Sequence, residues 1–175
     1  MRKIMIALAA CLSLLAGMAQ AHGPSRLKTD QSVTLNASPD EVWAVIGTFQ
    51  DMGWLPGVTG IEATGNEKGA TRTRTMESGL VVKEELLKLD PAKRAISIRL
   101  AEDNLDYVKA TNSALHITIK DEGGKAVVDL KGAFYRAFPL NDPPADQNDE
   151  ASTAAVEALH QSMIDALVAR FGAGG

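Results

Sequence analysis

Apolar residues follow two spacings along the chain, every second position in some stretches and every third or fourth in others, and these mark out strands and helices. Leu27 to Leu35 alternates weakly and contains Val33 and Thr34, which predicts an edge-like first strand. "NASPDEVWAVIGTF" then switches to helical spacing, with Val42, Val45, Ile46 and Phe49 on one face. Ser38 is placed to cap this helix, Pro39 suits its first turn, and Glu41 can return a capping-box bond. Gly53, Pro56 and Gly57 prevent its extension through "QDMGWLPGVTG", where at most a short helical turn is expected.

Period-two patterning dominates from Val58 onward. Strands are predicted near 58–64, 71–76, 80–89, 95–100, 110–119 and 125–138, separated by "GNEKG", "DPAK" and "DEGG" turns. Residues 101–109 carry no clear signal. A long helix is predicted from Asp149 to Phe171: Asn148 caps it, Asp149 and Glu150 favour its positive end, and Gly172 stops it. Its apolar stripe is Val156, Leu159, Met163, Ala166, Leu167 and Phe171. Hairpin-length turns imply a single antiparallel sheet, and one face of such a sheet needs a cover. The final helix is the natural cover, and small facing side chains would leave a cavity between the two layers.

The N-terminus changes the domain count little but bears on location. Arg2 and Lys3, an apolar run and Ala19-Gln20-Ala21 read as a secretory signal over residues 1–21, cut after Ala21. The remaining residues 22–175 are enough for one domain. The chain carries a formal charge of −4, and loss of the leader would leave 16 basic against 22 acidic residues. Neither figure provides a basic face for nucleic acid, and no second apolar stretch could span a membrane once the leader is gone. The only cysteine, Cys11, lies in that leader, so the exported domain would hold no disulfide, thiolate ligand or cysteine nucleophile. Export without cysteine suits a bacterial periplasm.

No nucleophile elbow, zinc-protease helix, phosphate loop or paired-cysteine metal site occurs, so no catalytic residue, cofactor or metal is assigned. His22 would become the free N-terminus and could then chelate copper through its amine and ring, although no second imidazole is evident. His116 is expected to point outward beside Thr118, and His160 to be a partly covered edge residue of the last helix. Trp54, Phe134 and Met163 could line a ligand cavity or serve as core. "FPLNDPPADQNDE" is longer than the usual connection of roughly 4–6 residues. It must join strand to helix, and Asp142, Asp146 and Asp149 could also dock a basic partner there.

The order of elements, with "SPDEVWAVIGTFQDMGWLPGV", the strand opening Gly69-Ala70-Thr71-Arg72 and Glu84 in the next strand, resembles the START-like superfamily, also called SRPBCC or Bet v 1-like. The resemblance spans residues 27–171. It implies an α+β helix-grip fold, a curved seven-stranded antiparallel sheet wrapped around a long C-terminal helix. It also implies that Arg72 and Glu84 can face the cavity and orient a polar ligand group; the other placement puts both on the outer sheet face. "AHGPSRLK" and "GAFYRAFPLNDPP…NDEA" further resemble the MxaD group, periplasmic proteins associated with methanol dehydrogenase. That likeness implies a non-enzymatic accessory of a quinoprotein methanol or alcohol dehydrogenase and its cytochrome c acceptor. The alternatives are a carrier for a small hydrophobic ligand and, third, a polyketide cyclase-like enzyme.

Overall fold

The computed structural model describes residues 23–175 other than Pro56. The expected leader, Cys11 and His22 lie outside the described residues. Strand β1 (Leu27–Leu35) leads to helix α1 (Pro39–Ile46), and six strands follow: β2 (Val58–Ala63), β3 (Thr71–Met76), β4 (Val81–Asp90), β5 (Ala95–Leu100), β6 (Ala110–Glu122) and β7 (Lys125–Arg136). Helix α2 (Asp149–Phe171) ends the described fold. All seven strands form one antiparallel sheet in the order β1-β7-β6-β5-β4-β3-β2. This is the α+β helix-grip arrangement. The meander β2–β7 returns beside β1, so α1 and the segment after it carry the chain from one sheet edge to the other.

Local chemistry accounts for the helix ends. At α1, Ser38 Oγ accepts from the Glu41 amide, and Glu41 Oε2 accepts from the Ser38 amide at 2.8 Å, completing the capping box. The helix stops at Gly47, where any Cβ would fall 2.5 Å from the Trp43 indole. Phe49 therefore reaches the core from beyond the helix and not as part of its apolar face; its side chain is fully buried. The short helical turn expected after it is reduced to one hydrogen-bonded turn, with the Leu55 amide on the Met52 carbonyl. Asn148 caps α2 through the Ala151 amide and Gly172 closes it, as the sequence suggests.

Register shifts in β2 at Val58/Gly60, in β4 at Leu86/Lys88 and in β6 at Thr111/Ala114 bend the sheet. The concave face grips α2, which crosses β1, β7 and β6. Leu35, Val42, Leu86, Val128, Leu130 and Leu167 are almost wholly covered there, each stabilising the fold by roughly 1.5–3 kcal/mol. The opposite sheet face is wet. Arg99–Glu85, Lys120–Asp129 and Lys131–Asp30 pair across its strands; the more exposed Arg99–Glu85 and Lys131–Asp30 pairs contribute about 0–1 kcal/mol each, whereas Asp129 is largely covered. His116 lies on that face as expected, half-buried, with its Nδ1 2.7 Å from the Ser97 hydroxyl on the neighbouring strand.

Candidate functional site

Alternation in β3 and β4 brings charge into the core. In β4, Glu84 has the same parity as Val82 and Leu86, and all three are buried. In β3, Arg72 and Arg74 take the inward positions while the flanking threonines are less covered. The register sets Arg72 opposite Glu84 and Arg74 opposite Val82. Of the two placements open from sequence, Arg72 and Glu84 thus occupy the cavity side: their side chains are 1% and 7% exposed.

Glu84 binds both guanidinium groups. Its Oε2 accepts from Arg72 Nε and Arg74 Nε, each at 2.8 Å, and its Oε1 accepts from Arg74 Nη2 at 2.9 Å. Arg74 Nη2 also donates to the Tyr107 hydroxyl at 3.0 Å, and Arg72 Nη1 donates to the Phe49 carbonyl at 2.9 Å. Two rings add cation–π contacts, Phe49 with Arg72 at 4.4 Å and Tyr107 with Arg74 at 5.3 Å. Arg72 thereby ties the segment after α1 to the sheet.

Burial pushes the Glu84 carboxyl toward protonation, but the hydrogen bond and charge of Arg74, followed by those of Arg72, outweigh it and hold the pKa below the usual carboxylate value. Arg74 shows the same balance from the other side: burial disfavours its charge, yet bonding to Glu84 raises its pKa. Burial raises the pKa of the Tyr107 phenol, which therefore stays neutral while accepting from Arg74.

Neither Arg74 nor Tyr107 was singled out from sequence as a site residue. For Arg74 a signal existed, since it shares the parity of Arg72. Tyr107 had none: it sits in 101–109, where hydrogen bonds replace periodicity. Asn104 accepts from the Asp106 and Tyr107 amides and donates to the Val81 carbonyl, fastening the turn over β4.

The cluster borders a small cavity between sheet and α2, lined by Met52, Glu84, Ile98, Tyr107, Leu159, His160 and Met163 among others. Its free space is about 30 Å³, room for about two waters. A second void of about 10 Å³ adjoins it across Met52 and Ile98 and is bounded by Arg72 and Trp54. Met163 and Trp54 thus lie at the cavities. Phe134 packs instead into a separate apolar cluster with Val108, Ala110 and Val156.

His160 departs from expectation. It is 2% exposed and lines the cavity, where a partly covered edge residue was anticipated. Gly132 explains this, because a methyl there would collide with Thr29 Oγ1 and stand 3.1 Å from His160 Cε1. Without a side chain on β7 at that point, α2 settles close enough to enclose the imidazole. Burial lowers its pKa to about 4 and keeps it neutral.

The acidic loop is closed by the Phe138 amide on the Gln147 carbonyl and the Gln147 amide on the Pro144 carbonyl, and Arg136 fastens it further. Arg136 donates to the carbonyls of Phe138 and Leu140, each at 2.8 Å, and reaches Asp149 Oδ1 at 3.3 Å. Asp149 is thus paired, whereas Asp142 and Asp146 are exposed, as is Leu140 of the same loop at 65%. Among the described residues, no cluster of metal-binding side chains occurs, and no helix is long and apolar enough to cross a membrane.

A family model described as polyketide cyclase / dehydrase and lipid transport matches residues 26–172. No curated protein matches the sequence. Among solved structures, an uncharacterised protein from Bacillus thuringiensis aligns at 22% identity over 81% of this chain and 96% of its own, with a TM-score of 0.66. The protein XoxI from Bacillus cereus gives 22% identity, 82% and 94% coverage, and a TM-score of 0.66. The Zhui aromatase/cyclase from Streptomyces sp. R1128 gives 18%, 83% and 93%, with a TM-score of 0.62. Likeness at these identities establishes the fold alone.

Proposed function

The chain belongs to the polyketide cyclase / dehydrase and lipid transport family, and we propose that it is a periplasmic, non-enzymatic binding protein for a small hydrophobic ligand carrying a polar group. The observation that carries this reading is the Arg72–Glu84–Arg74–Tyr107 cluster, buried beside an otherwise largely apolar cavity. Buried charge is expensive unless paired, and a family that includes lipid transport gives such a cluster a use. The same groups are poor proton movers. Glu84 is a weakened base with both oxygens engaged, Tyr107 a weakened acid, and His160, with a pKa near 4, a weak base.

The cavity is too tight for a lipid as it stands, so occupancy requires displacement of Met52, Leu159 and Met163. Methionine adapts well to such repacking. Native mass spectrometry of the purified protein tests the reading. A small-molecule adduct of about one per chain, lost in organic solvent, is expected; bare protein that also takes up no added amphiphile refutes it.

A second reading, assistance to a quinoprotein methanol or alcohol dehydrogenase and its cytochrome c, is favoured by the loop fixed by Arg136. A preorganised loop that exposes Leu140, Asp142 and Asp146 suits a basic partner with an apolar spot. Adding the protein to that dehydrogenase and cytochrome should change the electron-transfer rate, and the effect should shrink as salt rises from about 10 to 150 mM. An unchanged rate at every salt concentration removes this reading.

A further inference from the structure

Two arginines and one carboxylate give the buried cluster one more positive charge than negative. All three are at least nine-tenths covered. The rings of Phe49 and Tyr107 soften the excess without cancelling it. Asp51 borders the same small void as Arg72, but it is exposed and its carboxylate accepts from the Gly53 amide.

The excess is concentrated on Arg72. Three nitrogens crowd Glu84 Oε2: Arg72 Nε, Arg72 Nη2 and Arg74 Nε. Arg72 Nη2 lies 2.7 Å from that oxygen, yet its N–H bonds are not directed at it, and it has no hydrogen-bond partner. Arg74, by contrast, meets both oxygens of Glu84. The pKa directions agree: burial prevails over Glu84 at Arg72 and draws its pKa down, whereas Arg74 is raised.

We propose that Arg72 is the docking point for the carboxylate of an amphiphilic monocarboxylic acid whose apolar part lies among Met52, Ile98, Leu159 and Met163. The proposal rests on the ligand-binding reading above and specifies its head group. One negative charge balances the cluster, while a phosphate dianion would overshoot. A carboxylate's two oxygens suit guanidinium donors, and one of them can accept from the unused Nη2. The tail must be slim and flexible, because the present cavity admits only water-sized occupants.

Calorimetric titration of the purified protein with octanoate and, separately, with 1-octanol compares two head groups on the same chain length. Octanoate is expected to bind at least about tenfold more tightly, the usual scale for a hydrogen bond to a charged group. Arg72→Met should bring the two affinities within about twofold, and Arg72→Lys, which keeps the charge without the fork, should give an intermediate preference. Equal affinities in the unaltered protein overturn the carboxylate assignment while leaving ligand binding intact. Retention of the octanoate preference in Arg72→Met overturns it as well, and failure of both probes to bind overturns the assignment together with the reading beneath it. Should the Arg72 variants fail to fold, the comparison in the unaltered protein decides alone.

Discussion

Replacing Glu84 by glutamine is expected to lower the unfolding free energy by about 3–5 kcal/mol, the usual cost of removing one partner from a buried ion pair. Glutamine keeps the shape and one acceptor oxygen, so lost packing contributes little. What changes is the charge balance: Arg72 and Arg74, each at most 2% exposed, would face each other with no counter-charge. Arginine cannot shed its proton to relieve this. Urea denaturation followed by circular dichroism measures the loss, and a change under 1 kcal/mol would show that solvent reaches the cluster. The same carboxylate sets an acid limit. Its folded pKa lies below the ordinary carboxylate value of 4.5, so its contribution is complete above that pH and is lost as pH falls below it.

This cluster also shows how far the sequence could be read. Alternation in "VVKEELLKLD" already put Glu84 in phase with Val82 and Leu86, and "TRTRTM" gave Arg72 and Arg74 a common face. Which face was inward followed only once β4 was paired between β3 and β5. The caps of both helices were legible because they are short-range chemistry: Ser38 with Glu41, Asn148 with the Ala151 amide, and Gly172 after the last turn. Tyr107 was not, because the Asn104 bond to Val81 that orients its turn spans 23 residues. His160 misled for another reason. It stands four residues from both Val156 and Ile164, in phase with the buried stripe, yet its polarity argued for an edge. The deciding factor was the absent side chain at Gly132 on another element.

His160 should make the protein lose stability in mild acid, before Glu84 begins to titrate. Its pKa is lowered from 6.5 to about 4, and burial is the cause. Thr29 Oγ1, 3.5 Å from Nδ1, approaches it from β1. Below pH 6.5 the unfolded chain binds this proton and the folded chain resists it, so stability falls as pH drops from 6.5 toward 4 and levels off beyond. The whole shift is worth about 3 kcal/mol, of which about 2 kcal/mol is lost between pH 7 and pH 5. His160→Leu, similar in bulk and unable to titrate, should remove that part of the slope while leaving the Glu84 limit at lower pH. Urea unfolding of both proteins at pH 7 and pH 5 isolates the difference, and equal slopes would mean that the imidazole is solvated. Two polar features of one cavity thus weaken the fold in acid, one by needing to stay charged and the other by needing to stay neutral. An apolar lining would avoid both costs; on the proposed ligand-binding reading, these polar groups are kept for recognition of a polar ligand group.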